Sequence, residues 1–184
     1  MTQCDITMDE RGFRSLMSRF ATGVTVITSS GADGPAGMTA NAVASLSLDP
    51  LLVMIGFELK SRTLAAVRHS HKFAVNVLAG DQEQVSRIFA GKQPEREKFA
   101  GCAYTERSGV PVLEGTIAWL HCELAAVYPG GDHVIVVGSV VEMGENGGEP
   151  LLFYGGDYHR LDSNAGADRA RNPRHCVRPG QVAR

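Results

Sequence analysis

Across residues 24–154 the chain is a succession of short apolar or alternating runs of strand length, cut by glycine, proline and aspartate. Helical stretches between them are few and short. A doubly wound sheet needs a crossover helix between successive parallel strands, so it is disfavoured; runs of strands with sparse helices point to a mainly β protein. Val24-Thr25-Val26-Ile27-Thr28 reads as a strand, because β-branched side chains suit a pleated surface better than a helix. Leu51-Leu52-Val53-Met54-Ile55-Gly56-Phe57 is apolar at both parities and predicts a central strand covered on both faces. Residues 73–78 form another strand. Residues 116–128 alternate, with Ile117, Trp119, His121 and Glu123 on one face and Ala118, Leu120, Cys122 and Leu124 on the other. Turns at 31–34 and 129–132, a long strand at 133–143 and a short one at 151–154 complete the set. The fold class expected is mainly β with short helices: a β-barrel carrying attached helices.

The helical signals are local. Phe13, Leu16, Met17 and Phe20 recur at helical spacing, and Thr7 with Glu10 fits a capping box. They predict a helix from near residue 8 to Gly23. Ser61 is the expected N-cap of a short helix through Leu64, Ala65 and Val67. Asp81 is the expected cap of a second, with Val85, Ile88 and Phe89 on its face and Gly91 as its stop. The charged residues 91–112 read as a long surface loop.

At 184 residues and 43% hydrophobic content, one domain can bury a core without a disulfide or metal staple. Residues 1–161 form the expected folded unit. Residues 162–184 hold five Arg against two Asp and almost no large apolar side chain, which predicts a basic, flexible tail dispensable for chemistry. The alternative is an arm lying on an acidic face of a partner subunit. A net charge of −2 argues against general attraction to nucleic acid or anionic membrane. No apolar run approaches a membrane span, and the first residues lack the pattern of a secretory signal. The cysteines at 4, 102, 122 and 176 form no Cys-x-x-Cys pair. Reduced thiols in a cytoplasmic protein without a metal site are expected, and Cys122 is expected in the core. His69 and His71 would point apart on a helix, which makes them poor joint ligands.

Three stretches can carry chemistry. Residues 39–50 are rich in hydroxyls and amides beside an apolar strand; such groups need partners, which a polar planar ligand or strand-end backbone could supply. Lys60-Ser61-Arg62-Thr63 joins two cations and two hydroxyls to the free amides of a helix start, either a phosphate cradle or an ordinary cap. His133 follows the turn Gly130-Gly131-Asp132, where a ring can reach a ligand or simply tie turn to strand. No Ser–His–Asp or Cys–His pattern accompanies these stretches.

Taken in order, the chain resembles the flavin reductases that serve as the small component of two-component flavin-dependent monooxygenases. The resemblance runs through Phe20-Ala21-Thr22-Gly23-Val24-Thr25-Val26-Ile27-Thr28 and Gly37-Met38-Thr39-Ala40-Asn41-Ala42-Val43-Ala44-Ser45-Leu46-Ser47-Leu48-Asp49-Pro50. It continues with Phe73-Ala74-Val75-Asn76-Val77-Leu78, Phe89-Ala90 and Lys98-Phe99. It closes with Gly131-Asp132-His133, Gly138-Ser139-Val140, Pro150-Leu151-Leu152 and Tyr158. It spans residues 13–161. It departs at Asp49-Pro50-Leu51, which lacks a frequent second proline, and at Asn41-Ala42-Val43, where Ser and Phe are frequent.

The resemblance implies an FMN-binding split β-barrel and a homodimer with its flavin site near the subunit interface. It implies hydride transfer from NADH or NADPH to FMN or FAD, with the reduced flavin supplied to a partner monooxygenase. Thr39, Ala40, Asn41, Ser45, Leu46 and Ser47 would line the flavin ring and ribityl chain, and Ser61, Arg62 and Thr63 would hold its phosphate. Phe89 would lie near the flavin, with His133, the expected catalytic-site residue, and Tyr158 on the nicotinamide side. Two alternatives stay open: a flavoprotein of the same barrel with tightly bound FMN and another substrate, and a non-enzymatic flavin-binding module.

Overall fold

The computed structural model describes residues 7–161. The expected tail at 162–184, with Cys176, and Cys4 lie outside the described residues. In chain order the elements are α1 (Glu10–Met17), β1 (Thr22–Gly23), β2 (Thr25–Gly31), β3 (Gly34–Ala40), β4 (Val43–Leu48) and β5 (Leu51–Glu58). Then come α2 (Arg62–Ser70), β6 (Lys72–Val77), α3 (Glu83–Ala90), α4 (Glu95–Ala100), β7 (Tyr104–Arg107) and β8 (Val110–Leu113). The last four are β9 (Ala118–Gly130), β10 (His133–Glu145), β11 (Leu151–Tyr154) and β12 (Asp157–Arg160).

The main sheet has seven strands in the order β3-β2-β6-β9-β10-β5-β4. Every neighbouring pair is antiparallel. β3 and β4 stand at opposite margins, yet only Asn41 and Ala42 separate them in the chain. A flat seven-stranded sheet would hold its margins about 29 Å apart. The steps from Ala40 to Val43 reach only about 10 Å. The sheet therefore curls until its margins meet, leaving a seam between β3 and β4, as in a split barrel. The core agrees: Ala40 of β3, Ile27 of β2, and Val53, Ile55 and Phe57 of β5 share one buried cluster with Leu64 and Val67 of α2. Register shifts between β9 and β10 at Val137/Gly138 and Val140/Glu142 add local twist. At Gly138 a Cβ would stand 2.3 Å from the Phe73 ring, so only glycine lets that fully buried ring fill the barrel.

A second cluster joins Val24, Val26, Leu78, Phe89, Phe99, Leu113 and Leu151 outside the barrel wall. Above it lies a three-stranded sheet of order β1-β11-β12. The β7–β8 hairpin covers a third cluster, with Val110 and Val112 packed on Ala74 and Trp119. Buried Asn76 anchors the hairpin: its amide donates to Val26 O at 2.9 Å, and its Oδ1 accepts from Leu113 N at 2.8 Å.

Several sequence expectations are corrected. Helix α1 is capped by Asp9, which accepts from Gly12 N at 2.7 Å, not by a Thr7–Glu10 box. It ends at Met17; Gly23 instead pairs with Leu152 in a strand. The apolar set Phe13, Leu16, Met17 and Phe20 is present but exposed. β5 does lie inside the sheet, between β10 and β4, but only one face is covered. Val53, Ile55 and Phe57 point inward, whereas Leu51 and Met54 are exposed. Helix α3 begins after Gln82 without a side-chain cap, so Asp81 does not start it, while Gly91 does end it. The supposed loop at 91–112 contains α4, β7 and β8. Its charges misled because Lys98 is buried, 3.2 Å from Glu95 Oε1. The small and polar residues 34–48 form the two margin strands. Cys122 is fully buried as expected, and burial pushes its thiol up to about 12. Among the described residues no helix is long and apolar enough to cross a membrane, and no cluster is suited to hold a metal ion.

His121 on β9 is buried, and neither ring nitrogen has a hydrogen-bond partner. Its pKa is lowered from 6.5, first by desolvation and then by Lys72, with Glu142 and Glu123 opposing. A histidine held neutral in the fold but free to protonate when unfolded stabilises above the unfolded value. That contribution is lost as pH falls through 6.5 toward the lower folded value. Thermal denaturation from about pH 7.5 to about pH 5.5 is expected to show a falling Tm that flattens in His121→Phe. Identical slopes for both proteins would contradict this.

Candidate active site

Where the margins of the curled sheet meet, a cleft of about 640 Å³ opens. One wall is the outer half of β3 with Asn41 and Ala42; another is Gly56 and Glu58 of β5. Ser61, Arg62 and Thr63 close one end at the start of α2. Phe89 and Ala90 come from α3, Glu95 and Lys98 from α4, and His133 from β10.

Local chemistry explains each placement. Ser61 is extended and caps α2, accepting from Leu64 N at 3.3 Å. The first amides of the helix have no intrahelical acceptor, so this end favours an anion. Arg62 Nη2 donates to Gln93 O at 2.7 Å and Lys92 O at 3.4 Å, and stands 3.0 Å from Glu95 Oε1. Thr63 is buried beneath it.

The margin strand β3 is secured by side chains instead of by another strand. Gly37 N donates to Glu95 Oε2 at 2.9 Å, and Gly37 O accepts from Lys98 Nζ at 3.1 Å. Lys98 is buried and lies 3.2 Å from Glu95 Oε1. Glu95 and Lys98 thus satisfy an edge that would otherwise template further pairing. Gly37 cannot carry a Cβ, which would stand 2.6 Å from the Phe89 ring. Phe89 packs edge-on against Phe99, with centroids 5.1 Å apart.

Thr39 Oγ1 donates to Ser86 O at 2.6 Å, tying β3 to α3. Ser86 Oγ also meets the Tyr158 hydroxyl at 2.8 Å, and the Arg87 guanidinium lies 4.9 Å from the centre of the Tyr158 ring. Tyr158 lines an adjoining space of about 160 Å³ that shares Thr39, Ala40, Asn41 and Ala90 with the main cleft. His133 opens β10 opposite Glu58, and its Nδ1 lies 2.8 Å from Asp132 Oδ1. That hydrogen bond holds Asp132 below the usual carboxylate range.

Thr39, Ala40, Asn41, Ser61, Arg62, Thr63, Phe89 and His133 therefore line one cleft, and Tyr158 the space beside it. Ser45, Leu46 and Ser47 line neither. They lie along the opposite margin; Ser45 and Leu46 are exposed, and Ser47 Oγ accepts from Asp49 N at 3.2 Å. No sequence motif singles out Glu95, and Lys98 enters only through the family resemblance, yet both line the cleft. Their spacing of three on a helix was the available signal. Lys60, Lys92 and Glu58 also line the cleft.

The cleft falls within the usual 300–1,000 Å³ range for a cofactor-sized ligand. Four cations, Lys60, Arg62, Lys92 and Lys98, face two carboxylates, Glu58 and Glu95. Gly37, against the Phe89 ring, and Gly56, where a Cβ would stand 3.2 Å from Ala42 Cβ, put no side chain into the cleft. A planar group carrying a phosphate fits this combination.

Fold and cleft together define a split barrel with a cation-lined cleft at its seam. The chain belongs to the flavin reductase-like family, whose domain model matches residues 17–162. It is 42% identical over 159 residues to the reductase subunit of a flavin-dependent monooxygenase from Mycobacterium tuberculosis, covering 84% of each chain. It is 40% identical over 154 residues to an NADH-dependent flavin reductase from a Rhodococcus species, covering 81% of this chain and 85% of that one. Among solved structures, an NADH:FAD oxidoreductase from Streptomyces globisporus, in complex with NAD and FAD fragments, superposes with a TM-score of 0.80 at 36% identity, covering 85% of this chain and 95% of that one.

Proposed function

We propose that the protein is an NAD(P)H:flavin oxidoreductase that passes hydride from reduced nicotinamide to FMN or FAD and supplies the reduced flavin to a partner monooxygenase. The carrying observation is the convergence of the β3 wall, the cationic start of α2 and His133 on one seam cleft. When bound, the two cofactors themselves supply the hydride chemistry. The chain has to bind and orient them. Asn41 and the β3 backbone border the ring, Phe89 supplies apolar contact, and Ser61, Arg62 and Thr63 hold the phosphate. The Asp132 carboxylate accepts a hydrogen bond from His133 Nδ1–H, which orients the ring and leaves Nε2 for a nicotinamide amide. Tyr158 borders the same side.

A homodimer is part of this reading. It is supported by exposed apolar side chains along β4, β5 and β10, among them Leu46, Leu48, Leu51, Met54 and Ile135. Ser45, Leu46 and Ser47 belong on this reading to the surface a second copy covers. Free Cys102 and Cys122 accord with a reducing, cytoplasmic setting.

The test is steady-state oxidation of NADH and of NADPH with FMN, FAD and riboflavin in turn. Turnover with a phosphorylated flavin, falling with riboflavin, is expected; no turnover with any pair would overturn the reading. His133→Ala is expected to raise KM for NAD(P)H or slow hydride transfer by up to about 10²-fold, the scale of lost positioning. Flavin affinity should stay put. A variant that only melts earlier, with normal NAD(P)H kinetics, would assign His133 to the turn instead.

A further inference from the structure

Arg62 is not a free cation waiting for an anion. Among the described residues all its hydrogen bonds and its ion pair are made by Nη2, to Lys92 O, Gln93 O and Glu95 Oε1. Nε and Nη1 are left for a ligand. The two main-chain carbonyls already orient the guanidinium, so Glu95 is not needed to aim it. What Glu95 adds is a negative charge 3.0 Å from the group that would bind the phosphate.

That charge cannot swing away. Glu95 Oε2 accepts from Gly37 N at 2.9 Å, and buried Lys98 lies 3.2 Å from Oε1. Glu95 itself is only 16% exposed. A phosphate arriving at Arg62 therefore shares the cation with a carboxylate fixed in place. In a partly desolvated cleft this repulsion is large enough to govern affinity.

We propose that Glu95 is a tuning residue for flavin exchange: it weakens Arg62's hold on the flavin phosphate so that the flavin can leave. The inference rests on the flavin reductase reading, in which reduced flavin must reach another protein. It assigns the ease of release to one pinned carboxylate acting through Arg62.

The experiment measures Kd for oxidised FMN and for riboflavin by flavin fluorescence, with FMN dissociation followed by stopped flow. Glu95→Gln keeps the shape and an acceptor for Gly37 N but removes the charge. FMN Kd is expected to fall about tenfold and FMN release to slow, with riboflavin Kd within about twofold and the gain shrinking as salt rises. If unpaired Lys98 prevents the single variant from folding, Glu95→Gln with Lys98→Met serves. Arg62 still loses its carboxylate, so FMN still tightens, by a smaller factor because a cation is lost as well. An FMN Kd that is unchanged or raised, or a shift shared equally by riboflavin, overturns the proposal. Arg62→Ala separates the two levels. If it leaves FMN affinity unchanged, the phosphate assignment itself fails; if it weakens FMN while Glu95→Gln does nothing, only the tuning role falls.

Discussion

Arg62→Ala is expected to weaken FMN binding about 10- to 100-fold, the cost of one or two charge-assisted hydrogen bonds. Riboflavin, which has no phosphate, should lose less than about twofold on the same grounds. Removing Arg62 also leaves Glu95 facing the phosphate with only Lys98 as counter-charge, which pushes the loss toward its upper end. Arg62→Lys should recover part of it, since it restores the charge but not the planar fork. Stability should barely change, because the Arg62 side chain is half exposed. Titration of both flavins against each variant is the check. Equal losses for FMN and riboflavin would show that Arg62 supports the cleft rather than reads the phosphate.

Phe89→Ala should give the largest stability loss among the cleft residues. The ring is 1% exposed and packs on Phe99 and against Gly37, so truncation opens a cavity in the second core cluster. About 3–5 kcal/mol is expected, lowering Tm by about 10 °C or more in a domain of this size. Phe89→Leu should retain most of that stability. Because it changes an apolar contact and no charge, it should weaken FMN and riboflavin alike, the opposite signature to Arg62→Ala. A fully stable Phe89→Ala would mean that α3 can collapse onto β3 without the ring.

Part of this is legible in the sequence alone. Ser61 is a cap followed by apolar helical spacing, and it does cap α2. The lysine and arginine around it are adjacent in the chain, so a cationic helix start was visible as such. β-Branched residues made β2, and alternation made β9. The errors about apolar burial have one origin. Period and propensity report that a face is apolar, not what covers it. Phe13, Leu16 and Met17 form a face left bare, and Leu51 and Met54 were counted as core although they are exposed. Charge misled in the converse way, since residues 91–112 looked solvated while Lys98 was paired and buried.

The sequence by itself determined the elements with strong local signals, the mainly β class of fold and the cationic helix start at one end of the cleft. Those properties arise from side chains within a turn or a strand of one another. Only the tertiary structure decided where the seam lies and which residues complete it. Closure depends on β3 and β4, joined by two residues, lying at opposite ends of a seven-strand order. Glu95 and Lys98 reach Gly37 across sequence separations of 58 and 61 residues. Contacts that distant are set by how the whole sheet curls, and the residues flanking each partner carry no local record of them.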